Sequence, residues 1–203
     1  MLAGLGGWYF KKEAERDSGQ LIPLDQSTDA SKTQNQSEAG VANVVCNDRP
    51  NYYVVSRSRD NFVGNDILVK YKSNETEKLL CVYVPEAGDF EIKSGEPDYF
   101  LDIVGTFLIL DSGTAPFPRG LIIYDLNRRE KIYTDKYSQP LSVEDSAVTY
   151  WNPVDTKATN DNCPELTEYL SYGLGAGIEE RVTLNLLNLN KEKSGESRCS
   201  ARQ

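Results

Sequence analysis

The sequence predicts an all-β, mainly antiparallel fold with two four-stranded meanders, one short helix and a C-terminal strand. Short apolar, β-branched and aromatic segments recur along the chain, and Gly, Pro, Asn and Asp separate them, which is typical of strands joined by turns. The hydrophobic fraction of 39% and the aromatic fraction of 10% are sufficient for a packed core. We therefore expect a single β-rich domain over residues 43–203.

Two polar or anchor-like segments precede this domain. Residues 1–12 contain a Gly-rich apolar run that ends in Trp-Tyr-Phe and Lys-Lys, which resembles the interface end of a membrane segment. The run is too short to span a bilayer, which takes about 20 residues. It is therefore either the remnant of a longer signal or anchor, or a short strand or helix that packs on the domain. Residues 13–42 are polar and lack periodicity, which predicts a disordered linker.

The first meander is predicted between residues 52 and 93. Its strands are segments rich in β-branched and aromatic residues, bounded by turn residues. The third of them is strongly apolar, with the sequence Leu-Leu-Cys-Val-Tyr-Val. The four predicted strands cover residues 52–56, 67–71, 79–84 and 90–93.

The second meander is predicted between residues 99 and 151. Its first strand, residues 99–111, contains the run Phe-Leu-Ile-Leu, whose continuous apolar character indicates a strand covered on both faces. Gly105 interrupts this strand and predicts a bulge. The other three predicted strands cover residues 121–126, 131–137 and 146–151.

The two central strands of this meander are separated by Asn-Arg-Arg-Glu, which is a good hairpin signal. Alternation places Ile122 and Tyr124 on one face of the first strand, and Leu121 and Ile123 on the other. This pair resembles the middle hairpin of a β-propeller blade. Because two such units cannot close a propeller, which takes at least about four blades, the resemblance concerns local architecture. The two meanders therefore resemble either propeller blades or the sheets of a sandwich.

The C-terminal part is predicted to contain one helix and one strand. The helix covers residues 163–172, with Asn162 as its N-cap. The following Gly-Leu-Gly-Ala-Gly, residues 173–177, loosely resembles a phosphate-binding loop, but it follows a helix instead of preceding one. We interpret it as a helix C-cap and connector. Residues 181–190 alternate as a strand, and residues 191–198 read as a polar turn.

Four cysteines predict two disulfides. Their even number, and the absence of a Cys-x-x-Cys pair, favour disulfides over a zinc or redox site. We expect Cys46–Cys81 and Cys163–Cys199, because each bridge then stays within one half of the chain. The alternative is four reduced, mostly buried thiols. Disulfides need an oxidising compartment, so we expect an extracytoplasmic protein, periplasmic or secreted.

Composition excludes several function classes. The chain has no histidine, which excludes Ser-His-Asp and Cys-His catalytic pairs and HExxH zinc sites. The acidic net charge of −9 repels nucleic acid. Acidic neighbours such as Glu179 and Glu180 are interpreted as solvated faces, and the Asn-Asp-Asn at residues 160–162 lacks an EF-hand loop. We therefore expect no cofactor, no metal and no nucleic-acid partner.

One motif suggests catalysis. The apolar run before Asp111 leads into Asp-Ser-Gly-Thr, which resembles the catalytic turn of the aspartic proteases. The resemblance implies a carboxylate that shares a water with a second carboxylate. That chemistry needs two such turns, and the sequence has one. The alternative interpretation is a polar turn that ends a core strand, with Asp111 bonded to its own backbone.

The sequence thus predicts a non-enzymatic extracytoplasmic binding or envelope-associated module. Its partner is an unknown protein or small ligand, and a membrane tether at the N-terminus follows from the anchor interpretation of residues 1–12. The alternative function is a carboxylate-dependent hydrolase of the aspartic type, centred on Asp111.

Overall fold

A computed structural model describes residues 43–116 and 118–203 of the chain. They form an antiparallel β structure with a four-stranded sheet, a seven-stranded sheet and one short helix. In both sheets each strand pairs with its neighbours in sequence, so both sheets are meanders. This confirms the predicted fold class. The predictions for residues 1–12 and 13–42 lie outside the described residues, and the boundary at residue 43 stays a prediction.

The first sheet has the predicted number of strands, but one of them lies elsewhere. The predicted strand at residues 79–84 is wrong, because this segment pairs with neither sheet. An edge strand that precedes the predicted meander takes its place and pairs with the next strand along the chain. The four strands are β1 (Val44–Asp48), β2 (Tyr52–Ser58), β3 (Asn65–Tyr71) and β4 (Phe90–Ile92).

Residues 79–84, which we name the strap, cover the outer face of the first sheet. The side chains of Leu79 and Tyr83 pack against buried residues of β2 and β3. The alternate residues point away from the sheet, and the side chain of Leu80 is 79% exposed. The strap is fixed to β1 by the disulfide between Cys81 and Cys46. The segment therefore carries apolar side chains both on the side that packs on the sheet and on the side that faces solvent, and its backbone does not pair with a strand.

Replacing Leu80 and Val82 of the strap with Ser is expected to change the free energy of unfolding by about 0.5 kcal/mol per residue or less. Both side chains are already exposed, so little apolar surface returns to water on unfolding. The matched control is Tyr83→Phe, which removes the hydrogen bond from the Tyr83 hydroxyl to Glu91 (3.0 Å) and should cost about 0.5–1.5 kcal/mol. Urea denaturation measures both, and a loss well above about 1 kcal/mol in the double Ser variant would contradict the outward orientation.

The second sheet has seven strands instead of the predicted four. The predicted strand at residues 99–111 is two strands, which turn at Gly105 with a φ of 56°. The bulge predicted at Gly105 is wrong, since the shift in register lies between Phe100 and Asp102. The strands are β5 (Asp98–Val104), β6 (Phe107–Ser112), β7 (Arg119–Asp125), β8 (Glu130–Glu144), β9 (Ala147–Val154), β10 (Gly175–Asn185) and β11 (Lys191–Arg202).

The C-terminal elements differ in extent from the predictions. Helix α1 (Leu166–Ser171) is shorter than predicted, and its N-cap is Glu165 instead of Asn162. The Asn162 side chain instead accepts a hydrogen bond from the backbone N–H of Thr159 (2.8 Å). The predicted C-terminal strand starts earlier, at Gly175, and the predicted polar turn at residues 191–198 is part of β11. Among the described residues, no helix is both long enough and apolar enough to cross a membrane.

Strands β6 and β7 are buried on both faces, as the continuous apolar run in β6 predicts. On one face, Leu108 and Leu110 of β6 pack with buried residues of β2 and β3. On the other face, Ile109 packs with buried residues of β9 and β10. The predicted alternation in β7 is also confirmed, because Ile122 belongs to the first of these clusters and Ile123 to the second. Strands β6 and β7 are therefore the centre of the core.

Both predicted disulfides are confirmed. Cys46 of β1 is bonded to Cys81 of the strap, and Cys163 is bonded to Cys199 of β11. All four cysteines of the chain are thereby used. The second bridge links the loop before α1 to the edge strand of the seven-stranded sheet, so it holds β11 in place from outside the sheet.

Candidate functional site

The candidate site lies where the edge strand β11 meets β10. Residues two apart on a strand share a face, so Arg198, Ser200 and Arg202 form one row on β11. The antiparallel register sets this row opposite a complementary row on β10. Each β11 residue of the row has one partner there: Glu179 lies opposite Arg198, Gly177 opposite Ser200, and Gly175 opposite Arg202.

The glycines of this row leave room for the Arg202 side chain. A Cβ on Gly177 would lie 2.6 Å from Nε of Arg202, closer than real Cβ contacts. Glycine therefore lets the guanidinium lie against the β10 backbone and reach along it to Glu179. The interpretation of Gly175 and Gly177 as a connector is wrong, because both residues belong to β10. Gly177 also leaves the space that the Arg202 side chain occupies.

Glu179 is the centre of the site. Its side chain is fully buried, and both carboxylate oxygens are occupied. Oε1 accepts hydrogen bonds from the Ser138 hydroxyl and from Nη2 of Arg202, the latter at 2.7 Å. Oε2 accepts from Nε of Arg198 at 2.7 Å, and Nη2 of the same residue also lies 2.7 Å away. The carboxylate thus fixes two guanidinium groups side by side.

The surroundings keep Glu179 ionised. Burial by itself raises the pKa of a carboxyl group, since it disfavours the charged form. The hydrogen bond from Ser138 and the contacts with Arg202 and Arg198 act in the opposite direction and outweigh it, so the pKa of Glu179 lies below its ordinary value. The site therefore holds a carboxylate anion at neutral pH.

Arg198 is also held by its other neighbours. Its guanidinium carbon lies 4.4 Å from the ring centre of Trp151, a cation–π contact. Its Nη2 donates to the backbone oxygen of Gln139 on β8 at 2.7 Å. Within the described part of the chain, Nη1 of Arg198 and both Nε and Nη1 of Arg202 have no hydrogen-bond partner. The two arginines therefore keep donors that a bound molecule could use.

A cavity of about 300 Å³ opens beside the two arginines. This volume is at the small end of the range for ligand pockets. Ser138, Glu179, Arg198, Ser200 and Arg202 contribute polar groups to its lining, and Pro116 and Leu174 contribute apolar ones. The hydroxyl of Ser200 is buried and has no hydrogen-bond partner. We call this cavity the Glu179 pocket.

The lowered pKa of Glu179 predicts a loss of stability in acid. Because the pKa is lower in the folded state than its ordinary value of 4.5, the ionised carboxylate stabilises the fold above that pH. The contribution is then lost as the pH falls through the folded-state pKa. Urea denaturation between about pH 7 and pH 3 should show the stability gap between the wild type and Glu179→Gln narrowing as the pH decreases. A gap that stays constant over this range would contradict the assignment.

In the described structure the Asp111 carboxylate is bound by a guanidinium and a phenol. It lies within β6, where its Oδ1 accepts hydrogen bonds from the Tyr137 hydroxyl (2.9 Å) and from Nε of Arg119 (2.8 Å). Nη2 of Arg119 lies 2.5 Å from Oδ2. Instead of bonding its own backbone, as the turn interpretation expects, Asp111 forms an ion pair across β6 and β7. These charge-assisted hydrogen bonds join two neighbouring strands.

Replacing Asp111 with Asn is expected to lower the free energy of unfolding by about 1.5–3 kcal/mol, the usual range for hydrogen bonds to a charged group. The loss arises because Arg119 and Tyr137 lose their anionic partner. Chemical denaturation measures it, and Asp145→Asn at an exposed turn is the matched control, with an expected change below about 0.5 kcal/mol. Hydrolysis at acidic pH that is present in the wild type and absent in Asp111→Asn would instead support the hydrolase alternative.

The described residues contain one group of side chains close enough to share a metal ion, formed by Cys163, Glu165 and Cys199. Both of these cysteines are joined in a disulfide, so they offer no thiolate to a metal. Two tyrosines of the second sheet, Tyr137 and Tyr150, are almost fully buried. Tyr150 donates a hydrogen bond to Asp135 (2.8 Å), which ties β9 to β8.

The sequence-based interpretation missed the residues of the Glu179 pocket. It treats Glu179 and Glu180 alike as solvated acids, whereas Glu179 is buried and Glu180 pairs with the exposed Lys193 (2.5 Å). A usable signal was present in two period-2 patterns, Gly-x-Gly-x-Glu and Arg-x-Ser-x-Arg. Paired antiparallel, they bring the glutamate opposite the first arginine.

The fold and the site together define an all-β antiparallel protein with two disulfides and a small pocket built on a buried carboxylate. Comparisons with protein-family models, with curated proteins and with solved structures found no match to this chain.

Proposed function

We propose that the protein is a non-enzymatic binding module that acts outside the cytoplasm and takes its ligand in the Glu179 pocket. The observation that carries the proposal is the pair of guanidinium groups held beside a cavity by a fully buried carboxylate. The carboxylate is fully used by its hydrogen bonds, whereas the arginines keep unused donors. Groups that are fixed in place and still able to bind are what a recognition site needs.

The extracytoplasmic location is supported by the two disulfides. They use every cysteine of the chain, and such bridges persist in oxidising compartments. Non-reducing peptide mapping of protein isolated from its native cell tests this part of the proposal. Four free thiols in that material would contradict it.

A fragment screen on the full chain, followed by NMR, tests the binding function. We expect small polar compounds to shift the side-chain N–H signals of Arg198, Arg202 and Trp151. The variant Ser200→Phe places a ring in the pocket and should abolish these shifts. Ser197→Phe is the matched control, because it adds the same ring at an exposed position of the same strand and should retain them.

Two outcomes would decide against the proposed site. If no compound shifts these signals, the arginines serve only to fix β11 to the sheet. If the shifts persist in Ser200→Phe, the compounds bind elsewhere. Should Ser200→Phe fail to fold, Leu174→Trp fills the pocket from its apolar side and replaces it in the same comparison.

A further inference from the structure

The charges of the side chains that line the Glu179 pocket do not cancel. Among these side chains two arginines contribute +2 and Glu179 contributes −1, which leaves +1 in a chain whose net charge is −9. Among the described residues, Glu179 is the only carboxylate that forms an ion pair with Arg198 or Arg202. A single negative charge on the ligand would balance the pocket.

The unused donors can bind the oxygens of an anionic ligand. A guanidinium group donates charge-assisted hydrogen bonds to carboxylate and phosphate oxygens. Nη1 of Arg198 and Nε and Nη1 of Arg202 are the donors without a partner in the described structure. Ser200 lies between the two arginines on the same face of β11, and its buried hydroxyl also lacks a partner. Buried polar groups without a partner are uncommon and call for an explanation. A ligand oxygen that accepts a hydrogen bond from the Ser200 hydroxyl would be such a partner.

The rest of the pocket suits a short apolar group. Pro116 and Leu174 contribute apolar surface to its lining. The cavity of about 300 Å³ limits the ligand to a small molecule. Inorganic phosphate would use the guanidinium donors but would leave this apolar surface without a partner.

We infer that the ligand of the Glu179 pocket is a small monocarboxylate with a short apolar chain. The inference rests on the proposed function and adds the chemical class of the ligand. Arg198 and Arg202 bind the carboxylate, the Ser200 hydroxyl donates a hydrogen bond to one of the carboxylate oxygens, and the apolar chain lies against Pro116 and Leu174.

Calorimetric titration of the full chain with matched probes tests this inference. The probes are pentanoate, pentanamide, pentylammonium and inorganic phosphate, at one pH near neutrality and one ionic strength. We expect pentanoate to bind at least about 10-fold more tightly than each of the others, which corresponds to one charge-assisted hydrogen bond of about 1.5 kcal/mol. NMR shifts of the Arg198, Arg202 and Trp151 side chains locate the binding.

Three variants assign the roles of the residues. Arg202→Gln should weaken pentanoate binding about 10-fold or more, and Ser200→Ala should weaken it about 3–10-fold. Arg181→Gln is the matched control for charge, because Arg181 pairs with the exposed Glu196 outside the pocket lining and its loss should leave binding unchanged. Thermal denaturation of each variant confirms that the fold is retained.

The outcomes separate this inference from the proposed function. Equal binding of pentanoate and pentanamide, or tighter binding of phosphate, overturns the monocarboxylate inference and leaves the binding site in place. If none of the four probes binds while other fragments still shift the NMR signals of the pocket residues, the monocarboxylate inference is likewise overturned and the binding site stays in place. Unchanged pentanoate affinity in Arg202→Gln also overturns it. If no fragment of any class reaches the pocket, the proposed function itself fails.

Discussion

Replacing Glu179 with Gln is expected to lower the free energy of unfolding by about 3–5 kcal/mol, the range found when one partner of a buried ion pair is removed. Glutamine keeps the shape of the side chain but removes the negative charge. Arg198 and Arg202 then lie side by side without an anion between them, and the Ser138 hydroxyl loses a charged acceptor. Urea or guanidinium denaturation at neutral pH measures the loss.

The neighbouring residue provides a matched control. Glu180 has the same side chain on the same strand, but it pairs with Lys193, whose side chain is 66% exposed. Glu180→Gln should therefore cost no more than about 1 kcal/mol, as for surface ion pairs. Similar losses in both variants would show that the burial of Glu179 has no energetic consequence, contrary to the role assigned to it here.

Removing the second disulfide by the double change Cys163→Ala and Cys199→Ala is expected to cost about 3–4 kcal/mol. The bridge closes a loop with a sequence separation of 36, and the chain-entropy relation gives this loss for a loop of that length. Cys199 lies between Arg198 and Ser200, so the same change should loosen the row of residues that forms the pocket. Denaturation measures the stability, and the titration with pentanoate measures the binding.

The first disulfide is the control for this prediction. Cys46→Ala with Cys81→Ala opens a loop with a separation of 35, so its entropic cost should be nearly the same. It fixes the strap on the first sheet, away from the pocket residues, and should leave pentanoate affinity unchanged. Equal losses of affinity in the two double variants would contradict a local role for Cys163–Cys199.

The sequence carried enough information to predict the middle of the fold. In β6 a continuous apolar run indicated burial on both faces, and in β7 the alternation of Ile122 and Ile123 assigned each residue to the correct face. These patterns work because a strand exposes alternate side chains to opposite sides, and both sides of these strands are covered. The disulfide partners were also predictable, since pairing within each half of the chain requires no crossing.

The strap shows where the same reasoning fails. Its apolar residues have the pattern of a buried strand, but Leu79 and Tyr83 pack on the sheet while Leu80, Val82 and Val84 are exposed. The disulfide at Cys81 holds the segment in place, so strand pairing is not needed to order it. A pattern of apolar residues reports which side chains are apolar, and it does not report whether the backbone finds a partner.

The residues of the Glu179 pocket were not predicted from the sequence for a different reason. β11 is polar and gives no hydrophobic period, so its residues read as a turn and a chain end. The contact between Glu179 and Arg198 joins residues 19 positions apart, and it exists because β10 and β11 pair in one particular register. Such a site depends on register, which polar strands specify weakly in the sequence itself.

The order of the strands has a consequence for how the chain reaches this structure. In each sheet every strand pairs with the strand that precedes it in the sequence, so no strand depends on a partner that is distant in the chain. Such contacts have shorter sequence separations than those of a sheet whose neighbouring strands are distant in the chain, and this favours faster folding. During synthesis each new strand can add to the edge already formed, and β11, with the two arginines of the pocket, would be the last of the described strands to join.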